Sequence, residues 1–219
     1  MPKTPEKYVH ALGFRRLDSL YDPLIRVFMR EMKFKRRLVE QAKIRPGHRV
    51  LDLGCGTATL TILTKEMHPE AEVTGLDGDP KILQIAGDKI ARAGLDVSLD
   101  CAMSFDLPYP DGSFDRVLTC LMLHHLTRAD RVRTFLEVLR VLRPGGELHI
   151  ADWGMPSNPW AHTTAWLVGK LDGAERVEDN IKGRLPLLLA ETGYVNVRQH
   201  GQFGTILGTL CFLSGAKIG

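Results

Sequence analysis

The 219-residue sequence has no apolar run long enough to cross a bilayer, and its opening MPKTPEKYVH is too polar for a signal peptide. Both absences lead to the expectation of a soluble, cytoplasmic protein. The four cysteines, Cys55, Cys101, Cys120 and Cys211, are widely spaced and form no C-x-x-C pair, which speaks against a disulfide framework or a structural zinc site and for reduced thiols. Neither sign of charge dominates: a net charge of +3 does not by itself argue for nucleic acid. With 44% hydrophobic and 25% charged residues, the composition is that of an ordinary globular chain, and one domain with a modest insertion is the economical division.

What is present centres on Arg49 to Leu63, RVLDLGCGTATLTIL. Val50, Leu51 and Leu53 suit a buried strand, Gly54 and Gly56 permit a tight turn, and Ala58 to Met67 continues as a helix. A helix start leaves N–H groups without intrahelical partners, so strand, glycine turn and helix together predict a nucleotide-like site at the carboxyl end of the strand.

Upstream, residues 6 to 43 read as one or two helices starting near Asp22 and Pro23. Arg26, Arg30, Lys33 and Arg37 share a helical face, which is either a solvated outer surface or an attraction for an anionic substrate, a lipid headgroup or RNA. Downstream, Glu72 to Asp77 supplies a second strand, and Asp77 stands 23 residues after Gly54, where open α/β folds place a carboxylate for a ribose diol. Asp79 and Pro80 start a helix with an Ile82, Ile85, Ala86 and Ile90 stripe, ended by Gly94. Asp96 to Ala102 and Phe114 to Leu121 are the third and fourth strands, and the latter runs into His124 and His125. Thr127 caps a helix with Asp130, its Val132, Phe135, Leu136 and Leu139 facing inward; Pro144, Gly145 and Gly146 stop it before a fifth strand, Glu147 to Ala151. This alternation predicts an α/β fold with a parallel, doubly wound sheet. Residues 152 to 182, with Trp153, Trp160 and Trp166, break the rhythm as a substrate lid or a packed surface subdomain. Leu185 to Thr192 reads as a helix, and Val195 to His200 with Thr205 to Leu213 as a hairpin that finishes the sheet with an antiparallel strand.

The segments VLDLGCGTA, GLDGDP, LPYPDGSFD, LMLHHL and LRPGGELHIADW stand in the order and spacing of class I S-adenosylmethionine-dependent methyltransferases. The chain most resembles their small-molecule branch, which includes ubiquinone and menaquinone C-methyltransferases. The resemblance implies a Rossmann-like, seven-stranded, mostly parallel sheet within one domain over 1–219. That domain comprises an N-terminal helical cap (1–46), a cofactor-binding core (47–152), a lid (153–182) and a C-terminal helix and hairpin (183–219). It implies S-adenosylmethionine as cofactor and S-adenosylhomocysteine as product. Gly54 and Gly56, with Asp52 and Cys55, would cradle the methionine; Asp77 would hold the ribose and Gly78 the adenosine; Tyr21 would close over the cofactor. At the adenine, either Asp100 supplies the carboxylate or Cys101 occupies its place and Ala102 gives the backbone contact. Ala58 stands where the motif often has a third glycine.

The implied reaction is in-line methyl transfer to a carbon or oxygen nucleophile of a small, quinone- or phenol-like acceptor. Alignment matters more than strong acid or base. His124 and His125 fall near the expected methyl group, either as a general base or as shape and capping residues. Asp152 has the reach to enter the pocket, whereas His149 alternates into the sheet. No acidic cluster follows the fourth strand, so no metal is expected, and Cys55 and Cys120 read as small buried hydrophobes. The expected partner is a small molecule, not a nucleic acid, and peripheral membrane contact is compatible with the basic helix. The rival readings are an RNA or protein methyltransferase and a non-catalytic cofactor-binding or interaction domain.

Overall fold

The computed structural model describes residues 31–156, 182–205 and 208–219. Within them β1 (Arg49–Leu53), β2 (Glu72–Asp77), β3 (Ser98–Cys101), β4 (Phe114–Cys120), β5 (Leu142–Trp153), β6 (Val195–Gly204) and β7 (Thr209–Ala216) form one sheet ordered β3-β2-β1-β4-β5-β7-β6. Pairing from β3 through to β5 is parallel, and β7 runs antiparallel between β5 and β6. The doubly wound, seven-stranded α/β sheet expected from the sequence is the observed one. Its order reverses between β1 and β4, the position at which such sheets open a crevice beyond their strand ends.

The helices are α1 (Glu31–Gln41), α2 (Thr59–Met67), α3 (Pro80–Ala93), α4 (Arg128–Val141) and α5 (Leu185–Glu191). Phe34, Leu38, Leu60 and Leu63 of α1 and α2 pack with Val50, Val73, Leu118 and Phe212 on one face. Phe135, Val138, Leu188 and Leu189 of α4 and α5 pack with Leu51, Leu53, Leu76 and Ile150 on the other. Because successive strand residues alternate between faces, a strand covered on both is buried along its length, as β1 is from Val50 to Leu53, with Asp52 the one polar residue in the run. Asp79 caps α3 by accepting from the Lys81 amide at 2.8 Å, and Thr127 caps α4 by accepting from the Asp130 amide at 3.1 Å.

Several boundaries and faces depart from the sequence reading. Leu136 is 50% exposed, and the inward row of α4 is Arg131, Thr134, Phe135, Val138 and Val141. The docked phase of the helix carries a charged residue, Arg131, into the core at its head. Ile85 of α3 is also exposed. α4 ends at Val141, and the Pro-Gly-Gly run lies inside β5, where Gly145 donates to the Lys217 carbonyl and Lys217 donates back to that of Gly146. β3 spans only Ser98–Cys101, β4 stops at Cys120, and β7 starts at Thr209. Arg37 is half-buried: its guanidinium donates to the His200 and Gln202 carbonyls at 2.8 and 3.2 Å and lies over the Phe212 ring. Tyr21, Asp22, Arg26, Arg30, Trp160 and Trp166, with most of the lid, fall outside the described residues. Among the described residues, no helix is long and apolar enough to cross a membrane.

One titratable group lies deep in this packing. Gln41 Nε2 donates to the Leu213 carbonyl at 2.9 Å and to His149 Nδ1 at 3.2 Å, while His149 Nε2–H donates to Glu147 at 3.1 Å. A second proton on His149 would face the Gln41 amide, and burial holds the His149 pKa below the ordinary histidine value. The unfolded chain, near pKa of about 6.5, then takes up this proton before the folded one does, so the stability is complete above that pH and is lost as pH falls through the folded-state value. His48, His68 and His200 are lowered by burial in the same sense. The urea unfolding midpoint is expected to drop between pH of about 7.5 and about 5.5. His149→Gln should flatten that drop relative to the parent protein.

Candidate active site

At the reversal of strand order, the turn after β1 crosses the tip of β2. The Leu76 carbonyl accepts the Gly54 and Cys55 amides at 2.8 and 2.9 Å, and Gly56 donates to Asp77 Oδ2 at 2.9 Å. These three turn amides, which precede the helix start, are consumed within the fold. Amides spent in this way do not reach a pyrophosphate. The two glycines that make the turn have unlike surroundings. A Cβ on Gly56 would meet no atom within 4 Å, so the turn opens there on free space; one on Gly54 would stand 2.4 Å from Met122 Cγ. Both have positive φ, +54° and +71°.

Acidic groups line this cradle. Asp77 accepts from Gly56 on one oxygen and from the Asp79 amide, at 3.0 Å, on the other, which leaves acceptor capacity on both, the pattern a vicinal diol requires. Burial raises its pKa against the pull of these amides. Asp52, 1% exposed, is turned under α2, where Thr61 donates to it at 2.6 Å; burial pushes its pKa up to about 6, with Thr61 and Lys35 opposing. Lys35 of α1 forms a close ion pair with Glu31, and despite burial the charges of Glu31 and Asp52 help hold its pKa above the ordinary value. A second ammonium, that of Lys89 in α3, donates to the Thr57 and Thr59 hydroxyls at 2.9 and 3.3 Å, so Asp52, Asp77 and Glu31 stand against Lys35 and Lys89, and the remaining excess is acidic and favours a cationic ligand.

Beyond β3, Asp100 accepts from the Tyr109 hydroxyl at 2.8 Å, Cys101 is exposed and pairs in register with Asp77, and Ala102 donates to the Asp77 carbonyl at 3.2 Å. Gly78, half-buried, lies between Asp77 and the cap of α3. Burial raises the thiol pKa of Cys55 and takes that of Cys120 to about 12, so both remain protonated.

After β4 the backbone turns sharply, with Leu121 at φ +54°, into a 3-10 turn, Leu123–His125. The His124 and His125 ring centroids lie 4.0 Å apart with the rings tilted by 45°. His124 Nδ1 lies 2.8 Å from Asp152 Oδ1, and Asp152 also accepts the Leu123 and Trp153 amides at 2.8 and 2.7 Å. Burial acts to raise the Asp152 pKa, but His124, the Trp153 amide and Arg131 outweigh it and hold the carboxyl below its ordinary value. Asp152 is therefore sealed behind His124 instead of opening to the pocket, and His149 is remote from this group, among Gln41 and Glu147. Met122, Thr61, Lys35 and Tyr109 were not singled out in the sequence. Thr61 left one signal, a hydroxyl on the inward row of an apolar helix.

A methyltransferase-domain family pattern matches residues 50–146. The demethylmenaquinone methyltransferase of Listeria monocytogenes serotype 4a is 34% identical over 163 residues, 73% of this chain and 68% of the relative. The YcgJ protein of Bacillus subtilis shares the fold with TM-score 0.69 at 16% identity, covering 84% of this chain and 98% of that one. Haemonchus contortus phosphoethanolamine N-methyltransferase 2, solved with S-adenosyl-L-methionine, does so with TM-score 0.67 at 14% identity, over 85% of this chain and 53% of that one. These two structural likenesses concern the fold alone.

Two substitutions test the turn. Ala58 precedes α2 at φ +61°, a conformation that costs an L-residue about 1 kcal/mol, so Ala58→Gly is expected to raise stability by roughly that amount in urea unfolding. Gly54→Ala should cost about 3 kcal/mol, combining backbone strain with displacement of Met122; in a double-mutant cycle, Met122→Ala should recover about half.

Proposed function

The chain belongs to the S-adenosylmethionine-dependent methyltransferases, and from that membership we propose that it methylates a small, electron-rich ring of the hydroquinone or phenol class. When bound, the cofactor supplies a methyl carbon activated by its sulfonium, and S-adenosylhomocysteine remains. The observation that carries the site assignment is the inverted polarity of the glycine turn: its amides are spent on Leu76 and Asp77, and what faces the cradle is acidic. That arrangement fits the ammonium and sulfonium charges of the methionine part and a ribose, and not a pyrophosphate.

In this reading Asp77 holds the ribose hydroxyls with the acceptor capacity left on its two oxygens, and Gly78 lies along the adenosine. Gly54, Cys55 and Gly56 shape the methionine end, and Asp52 acts from beneath as a charge. The Asp100 to Ala102 segment borders the adenine. His124, with Nδ1 tied to Asp152, offers Nε2 to the acceptor hydroxyl and takes its proton as the ring carbon or oxygen attacks. His125 lies against His124 and shapes the entrance. The quinone-class acceptor is drawn from the name of the Listeria relative, and the lid over residues 153–182 is the segment proposed to cover it.

Calorimetry with S-adenosylmethionine is expected to show binding to the parent protein and a loss of about tenfold or more in Asp77→Asn, since hydrogen bonds to a charged acceptor are each worth about 1.5–3 kcal/mol. Labelled methyl should pass to 1,4-naphthohydroquinone or a phenol and not to RNA. No binding by the parent protein, or equal binding by Asp77→Asn, defeats the site assignment, while label on RNA alone defeats the acceptor class.

A further inference from the structure

Arg131 is fully buried at the head of α4, a place where an apolar side chain would complete the stripe without desolvating a charge. Its guanidinium reaches back across the helix cap. Nε and Nη2 donate to the Leu123 carbonyl at 3.3 and 3.0 Å, and Nη2 also donates to the Leu126 carbonyl at 3.3 Å. These two carbonyls bracket His124 and His125. Leu123 is consequently held by opposite charges, its amide by the Asp152 carboxylate and its carbonyl by Arg131. The Leu126 amide also donates to the Leu123 carbonyl, at 3.1 Å, which closes the turn. His124 hangs from that clamped peptide, with its Nδ1 on Asp152 and its ring between those of His125 and Trp153.

We infer that Arg131 is a positioning residue: together with Asp152 it clamps the Leu123–Leu126 turn so that His124 is kept as the Nδ1–H tautomer, with Nε2 bare towards the acceptor. The inference rests on the reading of His124 as proton acceptor. A planar fork is suited to the task because it engages two carbonyls of one turn at fixed angles, which the single ammonium of a lysine does not. Charge also matters, because Asp152 must stay ionised to accept from Nδ1, and the guanidinium favours that state. The groups facing His124 are thus Asp152 from β5, His125 and Trp153 at its ring faces and edges, and Arg131 from α4.

The test uses the full chain labelled with ¹⁵N-histidine, the His124 signals being assigned by their loss in His124→Asn. Long-range proton–nitrogen correlation is expected to give the neutral Nδ1–H tautomer in the parent protein. Arg131→Gln should show mixed or exchanging tautomers, and Arg131→Lys an intermediate state. S-adenosylmethionine affinity should stay within about twofold in both, while kcat on 1,4-naphthohydroquinone falls by about tenfold to a hundredfold in Arg131→Gln with a smaller change in KM. An Nε2–H tautomer in the parent protein overturns the inference, as does a folded Arg131→Gln with unchanged tautomer. Failure of both variants to fold overturns it too, by making Arg131 a determinant of folding. If the parent protein binds the cofactor and keeps the expected tautomer but leaves naphthohydroquinone unmethylated, the acceptor proposal fails alone, because the tautomer comparison needs no turnover.

Discussion

The paired grip of Leu76 and Asp77 on the turn after β1 is the constraint from which the site follows. One backbone carbonyl takes two amides and the neighbouring carboxylate takes a third, so the ends of β1 and β2 are joined into one rigid corner. Without that grip the glycine turn would be a generic anion nest; with it, the donors face inward and the open side carries negative potential. The placement of Asp52 beneath the same corner, its pKa pushed up to about 6 by burial and its carboxyl still mostly ionised at neutral pH, reinforces the sign of that field.

The elements set by local chemistry were legible in the sequence. Glu72–Asp77 is the strand that EVTGLD announced, and Asp79, Gly94 and Thr127 cap the helices as their side chains require. The fold family was legible for the same reason, since its motifs are runs of residues whose roles are local. What was not legible depends on partners remote in sequence. Leu136 looked as apolar as Val138, and only the docked phase of α4 separates outside from inside. The Gly54 and Cys55 amides are spent on a strand more than twenty residues away, and Met122 reaches Gly54 only because β4 lies beside β1. Asp152 gave away its acidity but not its direction: a carboxylate at a strand end can point to solvent, pocket or core, and three donors settle it.

The two halves of the site are built on different principles. Around β1 and β2, potential arises from carboxylates held in excess over the ammonium groups of Lys35 and Lys89. After β4, geometry arises from compensated charge, in which a buried anion and a buried cation grip one turn from either side. The first arrangement suits recognition of a cation, and the second suits the placement of a neutral imidazole. The shared wall between them is Met122, one residue beyond the left-handed Leu121 and packed on Gly54.

β7 is the strand most thoroughly enclosed by the sheet, yet it follows β6 in the chain and is inserted between β6 and β5. Order of synthesis and order in space are therefore opposed. Until Thr209 to Ala216 has left the ribosome, the outer edge of β5 has no neighbour, and β6 has no strand with which to pair. A nascent chain in that interval presents the unsatisfied backbone of Glu147 to Trp153 as a template for another chain. The sheet closes late and through contacts distant in sequence, which favours slow folding and makes the interval before β7 docks the one most exposed to misassembly.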